Sequence, residues 1–342
     1  MPKPPKPSKP SKPRSSPRRS ERLLDGLLLL DKPAGLSSNQ ALQRVRHLFS
    51  AAKAGHTGSL DPLATGLLPV CFGEATKIAG GLLGARKAYE TVARLGITTD
   101  SDDADGAPLV VRDVPALDIA RIEAALAALR GRIRQRPPLY SALKQGGEPL
   151  YAKARRGERI EVPEREVDVH GFELRNAADL LDAGAPLLRL HVECGSGTYV
   201  RSLVRDLGEA LGCGAHVVEL RRTWVDPFRD PRMWSFDELE RLATRGGQHA
   251  LDACLLPIEA GMARWPRVVL DPPALLRLAR GQAVALASAP QGEVAVYAAD
   301  GRIAGLAEGD AEGRLSPRRI FRWAAEQARP DRDPGTATTG PG

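Results

Sequence analysis

Three observations predict an α+β fold built on a mixed sheet. Strand-like and helix-like segments alternate along the chain without regular βα units. No GxGxxG fingerprint opens a helix, which argues against a Rossmann fold. A short β-rich stretch follows the Pro257–Pro266 region and reads as a second, smaller domain over residues 266–325. The chain has 342 residues, 42% of them hydrophobic, enough for about two domains and a sizeable core.

The elements follow from local pattern. Gly26–Asp31 is an apolar run and reads as a buried strand. Asn39–Phe49 has helical spacing through Leu42, Val45 and Leu48, with Ser38 or Ser37 as N-cap. A Gly-rich loop runs from Gly55 to Gly66 and feeds a strand at Leu67–Phe72. Tyr89–Ile97 reads as a strand and Ile119–Leu129 as a helix. Leu188, Leu190, Val192 and Cys194 alternate with polar residues, which suits a strand buried on one face. Val200, Leu203, Val204, Leu207 and Leu211 then follow helical spacing, and Gly212 is the stop. Beyond the boundary come a strand at Val268–Leu270, a helix at Pro273–Arg280 and strands at Val294–Ala298 and Ile303–Leu306. The last two join across Asp300–Gly301, a hairpin-turn dipeptide.

Composition excludes several classes. The longest apolar run, Leu27–Leu30, is far too short for a bilayer, which needs about 20 residues. It is also too short for a signal-peptide core. The four cysteines (Cys71, Cys194, Cys213, Cys254) are widely spaced with no CxxC, so neither a disulfide framework nor a zinc site is expected. They read as reduced, mostly buried thiols of a cytoplasmic protein. The net charge of +7 is misleading until it is located. Residues 1–22 hold eight basic side chains and one acid, the whole surplus, so residues 23–342 are balanced. Seven prolines fall within residues 1–20, and 1–22 reads as a disordered basic tail. It is either an arm attracted to phosphates or a dispensable extension, a start codon placed too early included. Residues 329–342, rich in Pro, Gly and Thr, read as a second disordered tail.

The most unusual stretch is GHTGSLDPLATG, residues 55–66. Three glycines permit sharp turns and close backbone approach, and Pro62 biases Asp61 towards an extended conformation. The carboxylate therefore sits on a loop. It is either presented to a substrate with little freedom to lose or folded into an Asx-turn.

The longer segment GHTGSLDPLATGLLPVCFGEATK resembles the catalytic motif of the TruB family, the bacterial tRNA pseudouridine-55 synthases. The resemblance continues in LLLLDKPAGLSSN, KAYETVARLGITTDSDDADG, PPLYSALKQGGEPLYAKARRG, CGSGTYVRSLVRDLGEALGCGAHVVELRR and SPRRI, in the family's order, and covers residues 23–325. It implies a mixed-sheet pseudouridine synthase catalytic domain over 23–256, an RNA-clamping insertion over 130–165 and a PUA-like C-terminal domain over 266–325. It implies isomerisation of a T-loop uridine without a cofactor or metal, in a cytoplasmic monomer that needs no protein partner and no membrane.

The resemblance also carries residue roles. Asp61 is the catalytic residue, as nucleophile or as base. Arg201 is the partner that keeps it ionised. If Tyr199 and Arg201 are both extended they share a face; a helix starting at Thr198 would turn them about 200° apart. The extended form is expected. Tyr89 packs on the target base, where stacking contributes about 1–3 kcal/mol. Tyr199 and Leu220 line the uracil pocket, Leu220 through its backbone, and Lys32 supports the site. His56 acts where the base is extruded, a step that costs a few kcal/mol.

Residues 130–159 hold nine basic side chains against Glu148 and Glu158, with Tyr140, Tyr151, Gly146 and Gly147 interleaved. In a body of zero net charge this reads as a loop that closes on the tRNA T-arm, or as a solvated basic face. Ser101–Gly106 looks like part of a calcium loop, but the twelfth position from Ser101 is Arg112, where an EF-hand needs Glu. The rival functions are a non-catalytic tRNA-folding chaperone and a pseudouridine synthase acting on another RNA.

Overall fold

The computed structural model describes residues 21–329, apart from Ala142, Tyr151, Ala152, Ala154, Arg155, Gly157, Arg159 and 176–186. The two tails beyond 21 and 329, and the interleaved Tyr151, Arg155 and Arg159, lie outside the described residues. Arg22, placed by its sequence in the basic tail, is docked: it pairs with Asp252 and donates to Gln248 Oε1 at 2.7 Å.

The catalytic-motif half begins with β1 (Gly26–Lys32), α1 (Ser38–Leu48), β2 (Ala54–His56), β3 (Thr65–Phe72), α2 (Ala79–Leu83) and β4 (Lys87–Leu95). Next come β5 (Ile97–Thr99), β6 (Pro108–Val111), α3 (Ile119–Ala128), β7 (Gly131–Gln135), β8 (Lys144–Gln145), β9 (Glu148–Pro149), β10 (Arg165–Leu174) and β11 (Leu187–Cys194). Helix α4 (Val200–Leu211), β12 (Ala215–Val225) and α5 (Phe236–Asp252) complete it.

The central sheet runs β1-β3-β12-β4-β11-β10-β7, with β2 also paired to β3. Its pairings are antiparallel except β3 with β12, so the sheet is mixed, as expected. Side-chain alternation divides β1 and β3 between two cores. Leu28, Leu30, Leu68 and Val70 meet Val45 of α1, Leu203 and Leu207 of α4 and Leu239 of α5. Leu27, Leu29, Leu67 and Cys71 face the other way, onto Trp265, Tyr297, Leu306 and Phe321. All four cysteines are buried and free.

The helix ends follow their signals. Ser37 caps α1 in a capping box with Gln40, and Gly212 ends α4 in the left-handed region at φ +87°. The C-terminal sheet is formed by β13 (Arg267–Leu270), β14 (Val284–Ala285), β15 (Gly292–Ala298), β16 (Ile303–Gly309) and β17 (Arg314–Ile320), in the order β13-β15-β16-β17-β14. Helices α6 (Pro272–Ala279) and α7 (Arg322–Gln327) pack on it.

Candidate active site

Register aligns four residues across the central sheet. Lys32 of β1 pairs with Gly66 of β3, Gly66 with Arg222 of β12, and Arg222 with Tyr89 of β4. Residues directly opposite one another share a face. The helical core covers most of this face, and the 57–64 segment lies at the end of the sheet beside the row. Gly66 is required in its place. Its φ is +96°, and a Cβ there would stand 2.2 Å from the Arg222 carbonyl oxygen.

Asp61 sits on that segment, which is anchored on both sides of the acid. Ser38 Oγ accepts from the Leu60 N–H at 2.7 Å and donates to the Leu60 carbonyl at 3.0 Å. The Pro62 carbonyl accepts from the Gly35 N–H at 2.8 Å and from Lys32 Nζ at 3.4 Å. Lys32 Nζ also donates to the Pro33 and Leu36 carbonyls, at 2.8 and 2.6 Å. A carboxylate held this way has little freedom left to lose.

Arg201 meets the acid from the first turn of α4. Its Nε lies 2.9 Å from Asp61 Oδ2 in an ion pair. The guanidinium is otherwise buried, with Nη1 3.2 Å from Asp103 Oδ2 and donating to the Ser101 carbonyl at 2.7 Å. Its Nη2 donates to the Tyr140 carbonyl at 2.9 Å. Arg201 is thus shared between a carboxylate that keeps 36% of its side-chain surface exposed, Asp61, and one that is 6% exposed, Asp103.

Electrostatics binds the cluster together. The dense protein around Asp61 pushes its pKa up by desolvation; Arg201 opposes this, Asp103 adds to it and Lys32 opposes it. Burial brings Lys32 down to about 8, opposed by Asp61 and assisted by Arg222. Burial pushes the Tyr89 phenol up to about 12, against the pull of Arg222. His56 is lowered by burial and then by Arg222, and its Nδ1 is buried without a hydrogen-bond partner.

Asp61, Arg201, Lys32 and Tyr89 are therefore brought together, with His56 within reach of the same Arg222 charge. Leu220 lies one strand step from Arg222 on the same face, and its carbonyl is 3.5 Å from Thr65 Oγ1. The expectation for Tyr199 and Arg201 is half corrected. Tyr199 is extended (φ −102°, ψ 116°) and caps α4, but Arg201 is already helical. It reaches Asp61 all the same, because a long side chain in a first turn can extend past the helix end. Tyr199 is held by Gln135, whose amide donates to the Tyr199 carbonyl at 3.1 Å and accepts from its N–H at 2.8 Å. The Tyr199 ring packs under the Arg165 guanidinium, 5.0 Å away.

Sequence reading missed Asp103, Gln135 and Arg222. Asp103 lies in the stretch dismissed as a false calcium loop. Arg222 carries a usable signal, since it follows Leu220 by two residues and so shares its strand face.

The chain matches the family description "TruB family pseudouridylate synthase (N terminal domain)" over residues 46–200. Residues 201–263 match "tRNA pseudouridylate synthase B C-terminal domain", and 266–321 match "Pseudouridine synthase II TruB, C-terminal". The chain belongs to the TruB family. A relative named tRNA pseudouridine synthase B from Xanthomonas axonopodis pv. citri is 60% identical over 305 residues, 89% of this chain and 96% of the relative. Relatives of the same name from Xylella fastidiosa and Pseudomonas putida are 57% and 49% identical, each over 89% of this chain and 98% of its own length. Among solved structures, a Cbf5-Nop10-Gar1 complex contains a chain with the same fold. Its TM-score is 0.67 at 24% identity, over 87% of this chain and 85% of that one.

Proposed function

We propose that this protein converts uridine 55 in the T-loop of tRNA to pseudouridine, with Asp61 as the reacting group. The observation that carries the reading is the ion pair of a partly exposed Asp61 with a buried Arg201, on a loop fastened beside Tyr89. The 49–60% identity to relatives named tRNA pseudouridine synthase B supports the substrate class.

In this reading the N1–C1′ bond of the uridine breaks, the uracil turns over, and C5 bonds to C1′. C5 gives up one proton and N1 gains one, so the step is an isomerisation. Asp61 acts on this centre as nucleophile or as base. Arg201 and Lys32 oppose the desolvation that would protonate it. Tyr89 supplies a stacking surface for the uracil while it is detached. Leu220 and Tyr199 border the base, and His56 fills or guards the space left when the base leaves its stack.

The 130–165 segment and the 266–325 domain, PUA-like in this reading, would grip the T-arm and the acceptor end. The segment's arginines are less naked than composition suggests. Arg130 pairs with Glu123, Arg132 with Asp168, Arg134 and Arg136 with Glu164, and Arg156 with Glu148 and Glu158. Exposed pairs of this kind are worth about 0–1 kcal/mol and can be exchanged for phosphates. No described helix is long and apolar enough to cross a membrane. A cytoplasmic monomer fits the reading.

Pseudouridine mapping in tRNA from a strain lacking this gene tests it. The expected result is loss of pseudouridine at T-loop position 55, restored by the wild-type gene and not by one encoding Asp61→Asn. Retention of that pseudouridine in the deletion strain contradicts the assignment. Restoration by Asp61→Asn would contradict Asp61 as the reacting group.

A further inference from the structure

The two largest fully buried side chains among the described residues are both cations, Arg222 and Lys32. Burying a charge costs several kcal/mol unless hydrogen bonds and neighbouring charges compensate it. Lys32 is explained by its three carbonyls and by Asp61. Arg222 is not explained by any role assigned above.

Its contacts all lead to the reaction loop or to Tyr89. Nη2 donates to the Gly58 carbonyl at 3.1 Å, three residues before Asp61. Nε donates to the Leu67 carbonyl at 2.7 Å, just after Gly66 ends the loop. Its backbone lies against Gly66 so closely that no other residue fits there. On the opposite side its direct cross-strand neighbour is Tyr89, whose phenol pKa its charge pulls down against burial. One side chain therefore spans from the strand beside the ring to both arms of the loop that carries the acid. Its charge is also felt by Lys32, His56 and Lys87, each of whose pKa it lowers.

We propose that Arg222 is a positioning residue for the isomerisation: it fixes the Asp61 loop and the Tyr89 ring relative to one another, so that acid and stacked base meet in one geometry. Arg222 does not touch the substrate in this account; it acts through Gly58, Leu67 and Tyr89. A misplacement of about 1 Å between reacting groups can cost roughly 100-fold in rate. Loss of Arg222 should therefore appear in the chemical step and leave RNA binding nearly unchanged.

The inference rests on the proposed reaction, and the test separates the two. A T-arm stem-loop RNA is incubated with excess wild type, Arg222→Gln, Arg222→Lys, Tyr89→Phe and the double variant Tyr89→Phe/Arg222→Gln. Single-turnover rate, RNA dissociation constant and melting temperature are measured for each. Arg222→Gln is expected to lower the rate about 100-fold with the dissociation constant within about threefold, and Arg222→Lys to recover about tenfold of that. The Arg222→Gln penalty should shrink in the Tyr89→Phe background, where the hydroxyl is missing. Rates within about threefold of wild type in both Arg222 variants overturn the inference, as does a penalty unchanged by Tyr89→Phe. If Arg222→Gln fails to fold, Arg222→Lys measured with and without Tyr89→Phe decides by the same criterion. A wild type that leaves the uridine unconverted overturns the reaction and this role with it; wild-type turnover with full-rate Arg222 variants overturns the role alone.

Discussion

Two groups of cations in this protein are built on opposite plans. Beside the Asp61 loop, Lys32, Arg201 and Arg222 are each at most 3% exposed and bonded largely to backbone carbonyls, with Asp61 and Asp103 as the carboxylates paired to Arg201. Along the 130–159 stretch, Arg132, Arg134 and Arg136 keep 64–74% of their side-chain surface exposed and pair loosely with Asp168 and Glu164 at 3.5–3.6 Å. The buried group fixes geometry, because each guanidinium or ammonium binds several backbone segments at once. The exposed group fixes only charge, and its partners are replaceable. The same residue types therefore serve precision in one place and attraction in the other.

The contrast can be broken most severely at Gly66. Gly66→Ala needs φ +96° and puts a Cβ 2.2 Å from the Arg222 carbonyl oxygen, so a loss of more than about 4 kcal/mol in unfolding free energy is expected by denaturant titration. A loss below 1 kcal/mol would mean that β3 and β12 are not held in this register. Next comes Lys32→Met, which keeps the volume and removes three hydrogen bonds. The rate should fall about 100-fold as the Pro62 side of the loop is released, with RNA affinity nearly unchanged.

A pH profile sharpens the comparison. Lys32 falls to about 8 in the folded protein from an ordinary 10.5, so the unfolded chain binds more protons between those values. Its own contribution to stability therefore rises with pH across that window, while the rate should decline above about pH 8 as the cation beside Asp61 disappears. Lys32→Arg should remove that alkaline limb; a limb that stays in place assigns it to another group. The acid limb should lie above the ordinary carboxylate range, since Asp61 is raised. The smallest effect belongs to the exposed group. Arg134→Ala should change stability by less than about 0.5 kcal/mol, weaken T-arm RNA binding a few-fold and lower its salt slope by about one counterion. A 100-fold loss of rate there would erase the distinction.

Much of this was legible in the sequence where the signal is local. The strand at Gly26, the Ser37 cap, the Gly212 stop and the turn at Asp300–Gly301 each depend on a few neighbouring residues. Asp61 and Lys32 were legible through the family motif. Asp103 was not, and Arg222 only through its two-residue offset from Leu220, because burial of a charge is decided by strands distant in the chain. Bulges in β12 between Val217 and Glu219 and between Arg222 and Trp224 interrupt the alternation on either side of that pair. Asp103 reads as a solvated acid in SDDADG until the fold places Arg201 over it. Part of the charge of the basic stretch was hidden for a similar reason: Glu123, Glu164 and Asp168, which pair with its arginines, all lie outside the 130–159 window.

The most direct measurement is pseudouridine formation by Asp61→Asn on a T-arm stem-loop RNA, with RNA affinity and melting temperature measured alongside. The carboxamide keeps the shape of the side chain and removes its charge. Conversion should fall by more than about 10⁴-fold, with RNA binding within a few-fold of wild type. Because the acid's folded pKa is raised, its ionised form is a burden to the fold at neutral pH, and the melting temperature should hold or rise slightly. Conversion within about tenfold of wild type would contradict the account, since Asp61 could not then be the reacting group.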